Sequence, residues 1–298
     1  MNLETLQQGE IRLLESPNVT DGQVHCRLRH ALLDTFQGVT RTDDVWPELQ
    51  TVHYDYSKLF ANSWSVFDNG YRKFCQRSKA EFYLHIGKNV PKQERSDLSN
   101  YYVALSYVWG ASKQGHSIIV DGHPLPVTDN LFAVMEKLSD TNAVRNGAKV
   151  WVDAICINQD DLAERAQQVG VIQEIYASAW QVVIWLGLAM KYSESAFTAV
   201  RWIAEEGYKD PDVPPLKEML VEGPAFQVTR PACQLLRQDV YNGLWHLFSQ
   251  PYWHRLWILQ EVATAKSCAP IQWGSFCVSL EDLKLQRDIS RPMNVGLA

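Results

Sequence analysis

The sequence lacks the long apolar run that a membrane-spanning helix requires. No stretch approaches the roughly 20 consecutive apolar residues of such a helix. The first residues, MNLETLQQGEIRLLES, also lack the basic start and apolar stretch of a signal peptide. The six cysteines are scattered and include no C-x-x-C pair, which is typical of reduced thiols in an intracellular protein. We therefore expect a cytoplasmic protein without a membrane span.

Clustered positive charge and metal-ligand spacings are lacking too. The net charge is −6, and no block of Lys and Arg gives an electrostatic reason to expect nucleic acid as a partner. The eight histidines are dispersed, with no spacing that resembles a zinc site. We expect neither a metal nor a bound cofactor. A protein or a small molecule is the expected partner.

Three common catalytic or nucleotide-binding motifs are missing. No G-x-G-x-x-G follows a predicted strand, no G-x-x-x-x-G-K-[ST] phosphate loop occurs, and no G-x-S-x-G nucleophile motif is found. The turn GASKQG, after the first strong strand, has only two glycines and is more typical of an ordinary strand-to-helix connection.

Apolar strands and amphipathic segments alternate from Tyr101 onward. Four buried strands are predicted in YYVALSYVWG, KVWVDAICINQ, WQVVIWLG and PIQWGSFCV, and a hairpin in SIIVDGHPLPV. Strands separated by helices predict a parallel sheet covered on both faces. Binding and catalysis in such sheets collect at the carboxyl ends of the strands.

Four segments have helical patterns. TDNLFAVMEKLSD has a capping residue and an apolar stripe, and SESAFTAVRWIAEEG is predicted to begin at Ser193 and end at Gly207. DLAERAQQVGVIQEIYASA is interpreted as one helix with Asp161 as cap and Glu164 as capping-box partner. PYWHRLWILQEV is interpreted as the fourth. The predicted inner stripes are Leu131, Val134, Met135 and Leu138 in the first helix, and Leu162, Val169, Ile172 and Tyr176 in the third.

The chain is predicted to have one main domain with elaborations. Residues 1–100 form a lead-in, with strands in EIRLLES and VHCRLRHALL and a helix within 64–87. The core domain spans 101–280, with a helical, proline-rich insertion at about 188–248, and 281–298 form a tail.

Trp253, Trp257 and Glu261 recur every four residues, so one helix would carry them on one face. The tryptophans could form a pocket wall that partly desolvates the carboxylate. Alternatively, they face the core while Glu261 lies at the edge of the stripe, paired with Arg255 or another cation. Spacing alone favours the second interpretation.

Polar residues also follow the second strand. Asp153 is predicted to lie within this strand as a structural carboxylate, with Arg165 as a candidate partner, and Cys156 is predicted to be a small buried residue. Asn158 and Gln159 lie where a ligand could bind, but they also suit the backbone groups at the start of the next helix.

Several blocks together resemble the fungal heterokaryon incompatibility (HET) domain. These are LSYVWG, VTDNLFAVMEKL, WVDAICINQDDLAERAQQVGVIQEIYASA, VVIWLG and PYWHRLWILQEV, within residues 101–274. The resemblance implies a role in programmed cell death after non-self recognition in filamentous fungi. It also implies a distant relation to Toll/interleukin-1 receptor (TIR) domains, which have a flavodoxin-like parallel sheet. Ile172 departs from the family pattern, which often has methionine there.

The TIR relation implies a site and a reaction. Many TIR domains cleave NAD+ with a glutamate in a W-x-x-x-E arrangement, which Trp257 and Glu261 match, although here it follows the third strand at a much greater distance. The resemblance implies Glu261 as the catalytic carboxylate and NAD+ as substrate. It implies a homo-oligomer when active and an upstream sensor or partner protein. Its implied substrate-binding residues are Ser106, Tyr107, Trp109, Gly110, Asn158, Gln159 and Trp257.

Two other functions share this fold. TIR domains include adaptors that act by self-association, and the helix starting QDDLAER would then be an interface. An enzyme that forms a cyclic nucleotide from NAD+ would share the site but differ in what captures the ribosyl cation.

Overall fold

The computed structural model of the protein describes residues 3–36, 98–110, 115–202, 204, 238–265 and 269–284. Four predicted features lie outside these residues: the helix within 64–87, the proline-rich part of the insertion, Gly207, and the tail from residue 285 onward. The proposed domain boundaries therefore stay predictions.

Nine strands among the described residues form one mixed sheet, in the order β5-β4-β2-β1-β6-β3-β7-β8-β9. The two predicted N-terminal strands are confirmed as β1 and β2, and the predicted hairpin as β4 and β5. The strands are β1 Glu10–Thr20, β2 Gln23–Leu32, β3 Tyr102–Tyr107, β4 His116–Val120, β5 His123–Val127, β6 Lys149–Trp151, β7 Gln181–Trp185, β8 Pro270–Trp273 and β9 Phe276–Ser279.

The sheet is parallel only in its centre. β3 pairs in parallel with both β6 and β7, and β7 pairs in parallel with β8. β1 lies antiparallel between β2 and β6, and β9 is antiparallel to β8. The predicted parallel sheet is therefore found in the centre, but the complete sheet is mixed, because the N-terminal hairpin joins it and the last apolar segment folds back on itself.

The last apolar segment forms two strands, because Gly274 turns the chain inside PIQWGSFCV. Its φ is +62°, and a Cβ there would lie 2.5 Å from the Cβ of Ala189, so neither the backbone nor the space suits another residue.

Helices cover the sheet. They are α1 Asp129–Ser139, α2 Asn142–Arg145, α3 Asp153–Cys156, α4 Leu162–Gly170, α5 Ile172–Ser178, α6 Ser193–Trp202, α7 Gln238–Phe248, α8 Ile258–Thr264 and α9 Leu280–Lys284. The α1 prediction is confirmed: the Thr128 hydroxyl accepts from the Leu131 N–H, and the whole predicted stripe is buried. No helix among the described residues is long and apolar enough to cross a membrane.

The third predicted helix differs in two ways. It breaks into α4 and α5 near Gly170, and its predicted stripe faces outward on α4, where Leu162 is 75% exposed. Asp161 caps α4 as expected, but the buried residues are Glu164 and Gln168. This side of α4 lies against β1, whose Arg12 binds Glu164 and whose Glu10 carbonyl accepts from Gln168. Glu164 is therefore no capping-box partner.

The second predicted core strand is shorter than expected. β6 ends at Trp151, and Asp153 begins α3, with its Oδ1 accepting from the Ala154 N–H at 2.7 Å. Arg165 is not the partner seen for Asp153, whose other oxygen accepts from Trp109. Cys156 is a buried free thiol, as expected. The chain thus turns into a helix as soon as it leaves the sheet.

Candidate functional site

The segment 251–264 is not one helix. A 3-10 turn spans Pro251–His254, Arg255 is extended at φ −80° and ψ 134°, and α8 then begins after Trp257. This break separates Trp253 from the helix that carries Glu261, whereas Trp257 lies one turn before Glu261, whose N–H donates to the Trp257 carbonyl at 3.2 Å. Trp257 is exposed, whereas Glu261 is only 3% exposed. The expectation that both tryptophans face the core with Glu261 at the edge was therefore wrong.

Glu261 lies against the end of the central strand β3. The Ser106 hydroxyl donates a short hydrogen bond to Oε2 of Glu261. The Tyr252 hydroxyl lies 2.6 Å from the same Ser106 oxygen. Because the single proton of Ser106 goes to Glu261, Tyr252 must donate to Ser106. All three side chains are buried, and their hydrogen bonds run from Tyr252 through Ser106 to the Glu261 carboxylate.

Arg255 joins this carboxylate to the backbone of β3. Its Nη2 donates to Oε1 of Glu261 at 3.3 Å, and its Nη1 donates to the Tyr107 carbonyl at 2.5 Å. The pairing of Glu261 with Arg255, one of the cations expected from the sequence, is confirmed. Since parallel strands leave their last carbonyls unpaired at this edge, the extended Arg255 places its guanidinium where it satisfies one of them.

Burial dominates the electrostatics of Glu261. It raises the pKa of this carboxyl, and the Arg255 charge and the Ser106 hydrogen bond offset only part of the shift. Burial also raises the pKa of the Tyr252 hydroxyl, which therefore stays a neutral donor. Because stabilising a positive charge requires the ionised carboxylate, the Arg255 cation and the Ser106 hydrogen bond favour the form of Glu261 that such a site needs.

Asp153 is a second carboxylate of the same site. It follows β6, the neighbour of β3, and its Oδ2 accepts from Nε1 of Trp109 at 2.8 Å. Its pKa is raised to about 6, because burial and the Glu261 charge raise it more than the Trp109 and Ala154 hydrogen bonds and the Arg255 charge lower it. Sequence reasoning took Asp153 for a structural residue inside a strand. Its place at a carboxyl strand end was the signal that was overlooked.

The structure brings together four of the predicted site residues. Ser106, Tyr107 and Glu261 share the network with Arg255, and Trp109 lies two residues after Tyr107 with its indole N–H bonded to Asp153. Gly110 follows with φ +82°, a conformation that favours glycine.

The remaining predicted residues have other partners. The Gln159 amide donates to the Asp153 carbonyl at 2.8 Å, and Asn158 Oδ1 accepts from the Asp160 N–H. Both side chains thus satisfy backbone groups before α4, the structural alternative that the sequence left open. Trp257 presents its ring to solvent.

Sequence reasoning missed two more residues at this edge of the sheet: Tyr252, a member of the network, and Asn130, which lies outside it. Tyr252 lies in the block that drew attention to Glu261, but its role depends on a contact with Ser106. Asn130 donates to the Val108 carbonyl and accepts from Trp185 Nε1, so it links β3 to β7. Among the described residues, no group of three or more His, Cys, Asp or Glu side chains is placed to hold a metal ion.

An open groove elsewhere does not include this site. It runs beside the C-terminal half of α1 and is bounded by Glu136, Lys137, Trp185 and Leu188, together with the Gly274 turn. None of the predicted site residues lines it. We therefore assign the candidate chemistry to the network around Glu261.

Comparison with known proteins identifies the family. The family described as "Heterokaryon incompatibility protein (HET)" matches residues 102–261, and no solved structure matches the chain. Heterokaryon incompatibility protein 6, OR allele, of Neurospora crassa is 40% identical over 115 residues, which cover 35% of this chain and 17% of that protein. The match thus spans less than a fifth of the length of this curated relative. Since the family match covers more than half of the sequence, the chain belongs to the heterokaryon incompatibility (HET) family.

Proposed function

We propose that this chain is a cell-death effector of heterokaryon incompatibility that hydrolyses NAD+ at the bond between nicotinamide and ribose. The family match and the name of the matched relative support the pathway. One observation carries the chemistry: the buried Glu261 carboxylate is held between Ser106 and Arg255 at the carboxyl end of β3.

The order of the parallel strands supports a TIR-like, flavodoxin-like interpretation. Across the sheet, the parallel strands follow one another as β6, β3, β7 and β8. Numbered 1 to 4 by their position along the chain, they have the order 2-1-3-4, as in flavodoxin-like sheets. Ligands of such sheets bind beyond the carboxyl ends of the strands, where the order reverses. Here that point lies between β3 and β7, and Ser106 and Tyr107 end β3 beside it.

A single carboxylate is sufficient for this reaction. As the C1′–N bond breaks, its electron pair neutralises the pyridinium nitrogen, so nicotinamide leaves as a neutral molecule and needs little acid catalysis. The ribose develops positive charge, which the Glu261 carboxylate would stabilise. Water then adds to C1′ and releases a proton to solvent. Ordinary glycosidases use two carboxylates because their leaving groups are poorer.

Arg255 marks where the positive charge of the substrate would lie. Its guanidinium now provides the cation beside Glu261, and Glu261 is too buried for a ribose to reach it in this arrangement. We infer that productive binding moves Arg255 away from Glu261. Self-association of the domain is the step that we propose for this opening, so clustered protein is the form to assay.

The test is NAD+ consumption by clustered protein, with the products separated by chromatography. Nicotinamide release that is lost in Glu261→Gln supports the proposal, because this substitution keeps the shape of the side chain and removes its charge. Glu174→Gln, an exposed glutamate on α5, is the matched control and should keep full activity. Full activity in Glu261→Gln would exclude this mechanism. ADP-ribose as the second product indicates hydrolysis, and a cyclic product indicates the synthase alternative.

One observation favours a non-enzymatic interaction module as the second candidate. α4 exposes two apolar side chains, Leu162 and Val169, while it buries Glu164 and Gln168. Solvent-facing leucine and valine on one short helix suit a self-association surface. Sedimentation of Leu162→Asp tests this, with Leu188→Asp, another exposed leucine, as control. Loss of self-association only in the first variant, with no NAD+ turnover by the clustered wild type, would favour the interaction module.

A further inference from the structure

Trp109 is an exposed tryptophan whose ring is nevertheless fixed in place. Its side chain is 43% exposed at the carboxyl end of β3, but its indole N–H donates to Asp153 Oδ2 at 2.8 Å. A surface indole can satisfy its single donor with water and stay free to rotate. Here a carboxylate accepts that donor, and hydrogen bonds to ionised acceptors are among the stronger ones in proteins. The ring therefore presents its apolar surface to solvent in one orientation.

Asp153 is itself held on two sides. Its Oδ1 accepts from the Ala154 N–H at 2.7 Å, and its backbone carbonyl accepts from the Gln159 amide at 2.8 Å. The carboxylate cannot swing away from Trp109 without breaking the first turn of α3. The Asp153 carboxylate, which accepts the indole N–H, is thus held in place at this edge of the sheet.

The backbone next to Trp109 is fixed from the opposite side. The Asn130 amide donates to the Val108 carbonyl at 2.7 Å, and its Oδ1 accepts from Trp185 Nε1 at 2.8 Å. Asn130 lies in the first turn of α1, so a helix and the neighbouring strand β7 both restrain the residue before Trp109.

The fixed ring belongs to the site of Glu261. Trp109 follows Ser106 and Tyr107 at the end of β3, where the Ser106 hydroxyl binds Glu261 and the Tyr107 carbonyl binds Arg255. The charges of Glu261 and Arg255 also act on Asp153, which holds the ring. Asp153 also acts on the hydroxyl of Tyr107, the residue whose carbonyl binds Arg255.

We propose that Trp109 is a preorganised stacking platform for the planar heteroaromatic ring of a nucleotide, and that Asp153 and Asn130 are its positioning residues. For its ligand, this inference rests on the proposed function, which makes that nucleotide NAD+. A rigid aromatic face binds a flat ring at low entropic cost, because nothing on the protein side has to be ordered first. The platform thus adds binding affinity beside the carboxylate without taking part in bond cleavage.

The test measures NAD+ binding by calorimetry in clustered Glu261→Gln protein, where no turnover interferes. Because the loss of one base–aromatic stack weakens binding about tenfold or more, we expect at least this increase of the Kd in Trp109→Ala. Asp153→Ala should raise the Kd by about three- to tenfold through loss of the ring orientation. Asp153→Asn should raise the Kd less than Asp153→Ala does, because its single amide oxygen can accept the indole N–H, although the Ala154 N–H then loses its acceptor.

Two controls separate positioning from general damage. Trp245→Ala removes a similarly exposed tryptophan from α7 and should leave the Kd unchanged. The urea midpoints of the Asp153 variants should agree with each other, so that rescue by asparagine reports ring orientation and not stability.

The outcomes separate this inference from the proposed function. Unchanged binding in Trp109→Ala, or no rescue by Asp153→Asn, overturns the platform even if Glu261-dependent hydrolysis is found. Trp109-dependent binding without hydrolysis supports the platform and counts against the proposed reaction. AMP and nicotinamide mononucleotide, tested as competitors of NAD+, show which ring stacks. Only the competitor whose ring stacks on Trp109 should compete more weakly in Trp109→Ala than in the parent protein.

Discussion

Two glutamates of this chain are buried to nearly the same degree, and each pairs with an arginine in a different way. Glu164 is 5% exposed and Glu261 is 3% exposed. Arg12 is fully buried and binds both oxygens of Glu164, at 2.5 and 2.9 Å. The side chain of Arg255 is 23% exposed and reaches a single oxygen of Glu261 at 3.3 Å.

The pKa values of the two carboxyls are therefore shifted in opposite directions. Burial raises the pKa of Glu164, but the two-fold contact with Arg12 and the Asn158 N–H outweigh it, so the net pKa is lowered. Burial raises the pKa of Glu261, and Arg255 offsets only part of that shift. The same residue types thus make a structural ion pair in one place and a poised carboxylate in the other. The two sites differ in the number and geometry of the donors and in how strongly each carboxyl is desolvated.

The largest expected effect comes from breaking the structural pair. Arg12→Ala leaves Glu164 buried without its cation and also removes donors to the Cys156 and Glu4 carbonyls. Because an uncompensated buried charge costs about 3–5 kcal/mol, we expect a loss of that size in the free energy of unfolding. Urea denaturation measures it.

A matched double variant tests the cause of this loss. Arg12→Met with Glu164→Leu removes both charges and should recover most of the stability, because apolar side chains can replace a buried pair. A loss below about 1 kcal/mol in Arg12→Ala would contradict the assignment of this pair as structural.

The two glutamates should also respond to pH in opposite windows. The folded pKa of Glu164 lies below its ordinary value of 4.5, so Glu164 stabilises the fold above that pH and loses this effect as the pH falls through the folded pKa. The folded pKa of Glu261 lies above 4.5, so its contribution is complete below that pH and is lost as the pH rises. The measurement is the unfolding free energy of each Glu→Gln variant relative to wild type, across pH.

Between about pH 5 and 7, the advantage of wild type over Glu164→Gln should therefore stay constant. Over the same range, the stability of wild type relative to Glu261→Gln should fall by at most about 1.4 kcal/mol per pH unit, since one proton is involved. Parallel curves for the two variants would contradict the comparison.

Local patterns predicted the elements whose partners are near in sequence. In α1, the cap Thr128 and a four-residue apolar stripe both come from the same short segment, and both are confirmed. β3 and β7 were likewise clear, because each is a continuous apolar run that ends in a turn.

Distant partners decided the features that the sequence could not predict. The outward face of α4 depends on Arg12, which lies 152 residues from Glu164 and takes a carboxylate that looked like a local cap. The break at Arg255 depends on the Tyr107 carbonyl, 148 residues away, although the spacing of Trp253, Trp257 and Glu261 is perfectly helical. Ser106 and Glu261 were both named in advance as site residues, through a resemblance. Their hydrogen bond could not be predicted from the sequence, because it depends on how the fold brings the two residues together.

A smaller effect is expected from the far end of the hydrogen-bond chain. Tyr252→Phe keeps the ring in the core and removes only the hydroxyl that donates to Ser106. We expect a loss of about 0.5–1.5 kcal/mol in the free energy of unfolding, the usual net value of one hydrogen bond. The pKa of Glu261 should hardly change, because Ser106 keeps its own bond to the carboxylate. A loss above about 3 kcal/mol would show that Tyr252 supports more than this bond.

The poised pair should cost less stability than the structural pair. Arg255→Ala removes a partly exposed arginine, and the raised pKa of Glu261 favours uptake of a proton over an unpaired anion as the pH falls. Because the Tyr107 carbonyl also loses its donor, we expect a loss of about 1–3 kcal/mol in urea denaturation at about pH 5, below the loss in Arg12→Ala. The Glu261 pKa should rise further without the guanidinium, and carboxyl-labelled NMR measures this directly. A loss as large as that of Arg12→Ala at this pH would mean that Glu261 stays ionised when Arg255 is gone. The carboxylate would then be structural, like Glu164.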